Sequence, residues 1–272
     1  MQPGRHDFQT LEDFLISSPL HADGQLDDGW GASFPVKGRE IEATVLFADI
    51  TGFSTRTSNL SPAETLVFVN NFFAWVSAEA IRGGRGIVDK YIGDEVMIIY
   101  SREFGSEDPF VDAVQAARWM AQNDAHSFVP HVGIASGRVI VGYTGTPARY
   151  SCSVFGAPVV FAARCAKVKP EGGGPYGATV VFPANEWADR DLRDVIPSQE
   201  VRNPDGTTGE QPFDWELLDP RNVTVKRTSL AVRELVRTGI WITGPGGSPE
   251  DRARDGLASL KEAGLYRPDL PF

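Results

Sequence analysis

The spacing of apolar and polar residues changes period several times along this chain, and each change marks an element. EATVLFAD, Glu42 to Asp49, is a short β-branched and aromatic run ending on a carboxylate, and it predicts a buried strand. Beyond the loop TGFSTRTSNL the pattern turns helical. Ser61 stands as N-cap, Pro62 at the first helical position and Glu64 where it closes a capping box. Leu66, Val69, Phe73 and Val76 supply the apolar face expected of that helix, and Gly83-Gly84 ends it. GIVDKYI and EVMIIY then read as two strands joined by a hairpin at Gly93-Asp94. A second amphipathic helix is expected over residues 107 to 125, and HVGIAS with RVIVGYT as a strand pair around Gly137. RYSCSVFG reads as a short polar turn into a helix over Ala157 to Val168, and ATVVF and FDWELL as the remaining strands.

The order β-α-β-β-α-β-β-α-β predicts an α+β fold, a ferredoxin-like mixed sheet flanked by helices. It spans residues 41–218. Residues 1–40 form an N-terminal extension with a short helix over Asp7 to Ser17 and a Gly- and Asp-rich linker. Residues 219–272 form a C-terminal extension whose one legible feature is a helix over Pro249 to Ala263. No repeat recurs.

Composition narrows the function classes. An apolar fraction of 42% in 272 residues supports a sizeable core. The net charge of -10 argues against a general nucleic-acid or anionic-membrane surface. It leaves a small anionic ligand open, because a few local cations can outweigh the global field. Two cysteines, Cys152 and Cys165, are too few for a disulfide framework, so a reducing cytoplasm is expected and both read as packing residues. No leader pattern opens the sequence and no apolar run approaches the ~18 residues of a membrane span. The four histidines, His6, His21, His126 and His131, show no metal-ligand spacing.

Two aspartates stand out by position. Asp49 ends a buried strand just before a Thr-Gly loop, and Asp94 sits at a hairpin tip between strands that would neighbour the first. Carboxylates converging at one sheet edge suit a hard cation such as Mg²⁺ or Mn²⁺. The same residues also fit a cap and a turn, and position alone leaves both readings open.

FADITGF, KYIGDEVM, GIASGRVIVG and FGAPVVFAAR, in this order and spacing, resemble the class III nucleotidyl cyclases. The resemblance implies the cyclase catalytic-domain fold and two divalent cations, Mg²⁺ or Mn²⁺, held by Asp49, the backbone carbonyl of Ile50, and Asp94. It implies a triphosphate cradled by the loop Thr51, Gly52, Phe53 and Ser54, with Arg138 near the phosphates and Arg164 as the transition-state arginine. It also implies a homodimer with composite active sites, Arg164 reaching the metal site of the other chain. The reaction implied is attack of a ribose 3′-hydroxyl on the α-phosphorus of the same nucleotide, releasing pyrophosphate.

Departures from the family pattern bear on substrate. Val160 stands where the family carries a ribose-orienting asparagine. Lys90 matches the purine-reading lysine of adenylyl cyclases, while Ser153 replaces its acidic partner. The family's β-phosphate lysine has no clear match, Arg202 being the nearest and Lys226 lying beyond the matching region. With RYSCSVFG, these changes resemble the pyrimidine cyclases of bacterial Pycsar anti-phage systems. That implies cyclic UMP or cyclic CMP acting on a separate effector with a cyclic-nucleotide-binding domain. Base recognition falls to Lys90, Ser153 and Tyr150. A lysine and a hydroxyl can both donate to the carbonyls of uracil, which places UTP first and CTP second. An adenylate cyclase with an altered pocket and an inactive nucleotide-binding module are the alternatives.

Overall fold

Eight consecutive buried residues, Ala43 to Ile50, have apolar neighbours on both faces, and this run forms the inner half of the central strand. The structure, a computed structural model, describes residues 9–27, 29, 33–83, 85–122, 128–146, 149–171, 179–198, 200–202, 206–210, 214–238 and 247–267. In chain order the elements are α1 (Leu11–Ser17), β1 (Ala22–Asp27), β2 (Ser33–Ile50), α2 (Phe53–Thr57), α3 (Pro62–Ile81), β3 (Gly86–Ile92) and β4 (Glu95–Ser101). They continue with α4 (Pro109–Gln122), β5 (Pro130–Thr146), β6 (Arg149–Phe155), α5 (Ala157–Cys165), β7 (Thr179–Pro183) and α6 (Leu192–Val195). The last are β8 (Glu200–Arg202), β9 (Thr208–Glu210), β10 (Trp215–Leu217), β11 (Arg221–Val225), β12 (Thr228–Arg237) and α7 (Pro249–Glu262).

The main sheet runs β10-β12-β7-β5-β2-β4-β3, with β1 added to β2, β6 to β5 and β11 to β12. It is mixed: β5 and β7 are parallel, and the other ladders are antiparallel. One core lies between the sheet and α3 and α4, built on Phe68, Phe72, Phe110 and Met120. A second lies on the opposite face, where α1 and α5 contribute Leu11, Phe14 and Ala162. The α+β fold with helices on both faces is therefore the one expected.

Several elements differ from the sequence reading. Helix α3 has its capping box, but it buries Phe68, Phe72, Val76 and Ala80, while Leu66 is exposed. Packing against Phe128 selects the stripe of Phe68 and Phe72 instead. Gly137 does not turn the chain: φ of 143° bends one continuous strand, β5. RYSCSVF is not a polar turn but β6, paired with β5 from Ile140↔Phe155 to Thr146↔Arg149. FDWELL is not the end of the sheet. Strand β12 inserts between β10 and β7, burying Val232, Leu235 and Val236, so the boundary expected at residue 218 falls inside the sheet. The N-terminal helix likewise belongs to the core, where Phe14 stacks edge-on to Phe104. Among the described residues, no helix is long and apolar enough to cross a membrane.

Candidate active site

Three elements end at one edge of the sheet. Strand β2 ends with Asp49 and Ile50, the β3–β4 hairpin turns at Gly93-Asp94, and β5 begins at Pro130. Gly93, at φ 65°, takes the left-handed conformation that a two-residue hairpin requires. The ladder between β2 and β4 stops at Asp49↔Glu95, and on the other side Ile50 faces Pro130, which has no N–H to give. Just beyond, Thr51 donates its hydroxyl hydrogen to the carbonyl of Val129, and Gly52, at φ 69°, leads into the short helix α2. The Phe53 ring packs against Phe68, so this loop is anchored from below.

Helix α5 completes the edge. It lies directly on β5: a Cβ on Gly133 would come within 2.1 Å of the Ala162 carbonyl oxygen and 2.2 Å of the Ala166 nitrogen. This close approach carries the end of α5 over the carboxylates. Lys167 Nζ sits 2.8 Å from Asp49 Oδ2 and forms a second ion pair with Glu95. The sequence reading missed both Lys167 and Glu95, because nothing local in sequence joins positions 49, 95 and 167. Arg164, three residues before Lys167, is half-buried and makes no ion pair among the described residues.

Electrostatics mark Asp49 as the unusual group. Burial, augmented by the neighbouring Asp94 and opposed by Lys167, pushes its carboxyl up to about 7. Burial works against the Lys167 charge too, but the hydrogen bonds and charges of Asp49 and Glu95 outweigh it and hold its pKa above the ordinary lysine value. Asp49 Oδ1 is buried without a hydrogen-bond partner. An acceptor left open inside a carboxylate cluster fits a cation. Among the described residues no three His, Cys, Asp or Glu side chains group as a metal site. The set here is two carboxylates and a backbone carbonyl, with Lys167 supplying the positive charge.

A second cluster forms where β6 meets β3. Lys90 donates to Ser153 Oγ, and Ser153 donates to Asp89 Oδ2 at 3.2 Å. Lys90 is also 3.5 Å from that carboxylate, whose side chain is only 2% exposed. Burial raises the Asp89 pKa, against the lowering effects of Lys90 and Ser153. The expected pair of Lys90 and Ser153 is thus brought together, and Asp89 is an addition. Tyr150 shares the strand face of Cys152 and Val154 rather than that of Ser153, and its hydroxyl is buried without a partner. Val160 is 46% exposed, and Phe155, Tyr91 and Ile92 are exposed as well.

Arg138 does not join either cluster within one chain. It pairs across the sheet with Glu42, and Asp49 lies seven residues further along β2, about 23 Å away at strand rise. Arg202 lies in β8 of a separate two-stranded ladder and Lys226 in the β11–β12 turn. His6 and His126 fall outside the described residues, and His21 Nδ1 accepts from the Glu40 amide. Burial pushes both cysteine thiols up to about 12, consistent with packing residues.

Comparison with known proteins agrees with this fold. Residues 36–172 match the family model for the adenylate and guanylate cyclase catalytic domain. The adenylyl cyclase CyaB from Pseudomonas aeruginosa superposes with a TM-score of 0.54 at 19% identity, over 76% of this chain and 98% of that one. The guanylate cyclase domain of RhGC from Catenaria anguillulae gives 0.52 at 18%, over 74% and 100%. The uncharacterized proteins Rv1318c and Rv1319c of Mycobacterium tuberculosis are 34% and 32% identical over 130 residues, 47% of this chain. The match spans only 24% of the length of either relative. The family match covers the sheet edge, the hairpin, β6 and α5: this chain belongs to the adenylate and guanylate cyclase catalytic domain family.

Proposed function

We propose that the protein cyclises a pyrimidine nucleoside triphosphate, UTP first, to the 3′,5′-cyclic monophosphate and pyrophosphate. The observation that carries the reaction is Asp49: one carboxylate oxygen is buried and open, and the other is held by a lysine that a stronger cation can displace. Asp49, Asp94 and the Ile50 carbonyl would hold two divalent cations, Mg²⁺ or Mn²⁺. Bound there, the cations would lower the pKa of the attacking hydroxyl and neutralise charge on the leaving pyrophosphate.

The chain's own groups do the rest. The Thr51–Ser54 loop cradles the triphosphate. Arg164, on a helix fixed to the sheet through Gly133, offers a guanidinium free of protein carboxylates for charge developing on the α-phosphate. In a head-to-tail homodimer it acts on the nucleotide held by the other chain's Asp49 and Asp94. Arg138, remote from its own chain's metal edge, is assigned to the phosphates only through such a partner. Val160, apolar and exposed, leaves the ribose to another group.

Lys90 and Ser153 read the base, and Tyr150, on the strand of Ser153 but on its other face, lines the pocket from behind. By residue type alone, a hydroxyl at Ser153 and a donor at Lys90 suit the two carbonyls of uracil, which is the support for UTP. CTP is the second reading, favoured by the Asp89 carboxylate in the same cluster, which suits a base carrying an amine. The cyclic nucleotide would then act in the cytoplasm as a second messenger in anti-phage defence, on a separately encoded effector. The resemblance of RYSCSVFG to pyrimidine cyclases supports that last assignment. Pyrophosphate release measured with each triphosphate and Mn²⁺ tests the enzyme reading. Asp49→Ala and Asp94→Ala should abolish it in folded protein, and near-normal release in either variant overturns the assignment.

A further inference from the structure

The β3–β4 hairpin is in register at Val88↔Ile98 and again at Lys90↔Met97, so Asp89 is an extra residue, a β-bulge. On a regular strand, neighbours 89 and 90 would point to opposite faces. Here both reach one hydroxyl, that of Ser153, which lies on a strand not paired with β3. The bulge therefore re-aims a side chain, and the one it brings in is an almost fully buried carboxylate.

Counting hydrogens shows the consequence. A serine hydroxyl has one hydrogen and two lone pairs. The hydrogen goes to Asp89 Oδ2, and one lone pair receives Lys90. What remains on Ser153 is a single lone pair. Of the three ammonium hydrogens of Lys90, one is spent on Ser153 and one is directed at Asp89, at 3.5 Å. The third remains, on a side chain still 35% exposed. The pair thus offers one donor and one acceptor, not the two donors that the residue types suggest.

We infer that Asp89 is a specificity-determining positioning residue: it takes the Ser153 hydroxyl hydrogen, so that Lys90 and Ser153 together read a base edge with an acceptor beside a donor. The inference rests on the proposal that Lys90 and Ser153 face the base. Cytosine presents such an edge through N3 and its amine, and uracil through O4 and N3–H. Adenine presents it through N1 and its amine, so the exclusion of purines falls to the room available rather than to this pair. Hydrogen bonding at this pair gives UTP no advantage over CTP.

The test deletes the donor from the base. Dissociation constants are measured with Mn²⁺ on the full-length protein for 3′-deoxy triphosphates, which lack the attacking hydroxyl. The bases are cytosine and pyrimidin-2-one, which is cytosine without its amine, and adenine and purine, which is adenine without its amine. In the wild type, losing the amine should weaken binding about tenfold or more, because the Ser153 lone pair is left unpaired. Asp89→Asn keeps an acceptor for the hydroxyl and should keep that penalty. Asp89→Leu unpins the hydroxyl, which can then turn its lone pair away from a base without the amine, and should reduce the penalty; Ser153→Ala removes the hydroxyl and should bring the penalty below about twofold. A structural role alone would weaken both members of a pair equally. An undiminished penalty in folded Asp89→Leu, or in folded Asp89→Ala should the leucine variant not fold, overturns the inference. Tighter binding of the adenine pair, with a penalty that still follows Asp89, overturns the pyrimidine reading and leaves the inference standing. Failure of all four to bind overturns both.

Discussion

Replacing Lys167 with Met should weaken the metal-free protein and tighten its grip on a divalent cation. The ammonium contacts Asp49 at 2.8 Å and also pairs with Glu95. The carboxylate side chains are 12% and 16% exposed and the lysine side chain 42%, which places the cluster between a surface pair and a buried one. A surface pair contributes at most about 1 kcal/mol, whereas removing one partner of a buried pair costs about 3–5 kcal/mol. An intermediate value of about 2 kcal/mol is expected here, after discounting for solvent at the lysine. For a chain of this size that lowers the metal-free melting temperature by about 4–8 °C. In the wild type an incoming cation must displace the ammonium, and in the variant it need not. The same 2 kcal/mol then appears as up to about thirtyfold tighter Mn²⁺ binding. Calorimetric titration of Mn²⁺ into both proteins measures the affinity, and thermal unfolding with and without Mn²⁺ measures the stability. The variant should melt early in chelator and recover in saturating Mn²⁺. Unchanged or weaker Mn²⁺ affinity in a folded Lys167→Met protein would refute the view that lysine and metal share one position.

Three further outcomes follow from the same geometry. The folded-state pKa of Asp49, about 7, is raised above its ordinary 3.8, so its contribution to stability is fully present below about 4 and is lost as pH rises through 7. In chelator, wild-type stability should therefore fall between pH 5 and 8 by more than about 1 kcal/mol relative to Asp49→Asn, measured by urea unfolding. Gly133→Ala should cost at least about 3 kcal/mol by the same measurement, because the new methyl would overlap the α5 backbone, and the displaced Arg164 should lower activity as well. Mixing inactive Asp49→Ala with inactive Arg164→Ala chains should restore part of the activity, since one of two composite sites in a heterodimer is intact. No recovery after demonstrated subunit exchange would place the site within one chain.

The sequence was most legible where local rules decide structure. The Ser61 capping box, the Gly93-Asp94 hairpin and the apolar run into Asp49 each depend on neighbours in sequence, and each is present. It was least legible where tertiary pairing overrides a local signal. Ser151, Cys152 and Ser153 look like turn residues, yet β5 supplies a ladder that makes them a strand. Gly137 looks like a turn but bends a strand held by β2. Strand β12 was hidden in a segment with no motif, and its burial comes from β7 and β10 on either side. The same limit applies at the site. Asp49 and Asp94 stand out by type and position, whereas Lys167 and Asp89 reach partners far away in sequence only because α5 and a bulge bring them there.

The central claim is that this member of the cyclase family acts on a pyrimidine nucleotide. The most direct test is to give the full-length protein an equimolar mixture of ATP, GTP, CTP and UTP with Mn²⁺ and to identify the cyclic products by mass. The account predicts cyclic UMP or cyclic CMP as the main product. Cyclic AMP or cyclic GMP as the main product would contradict it.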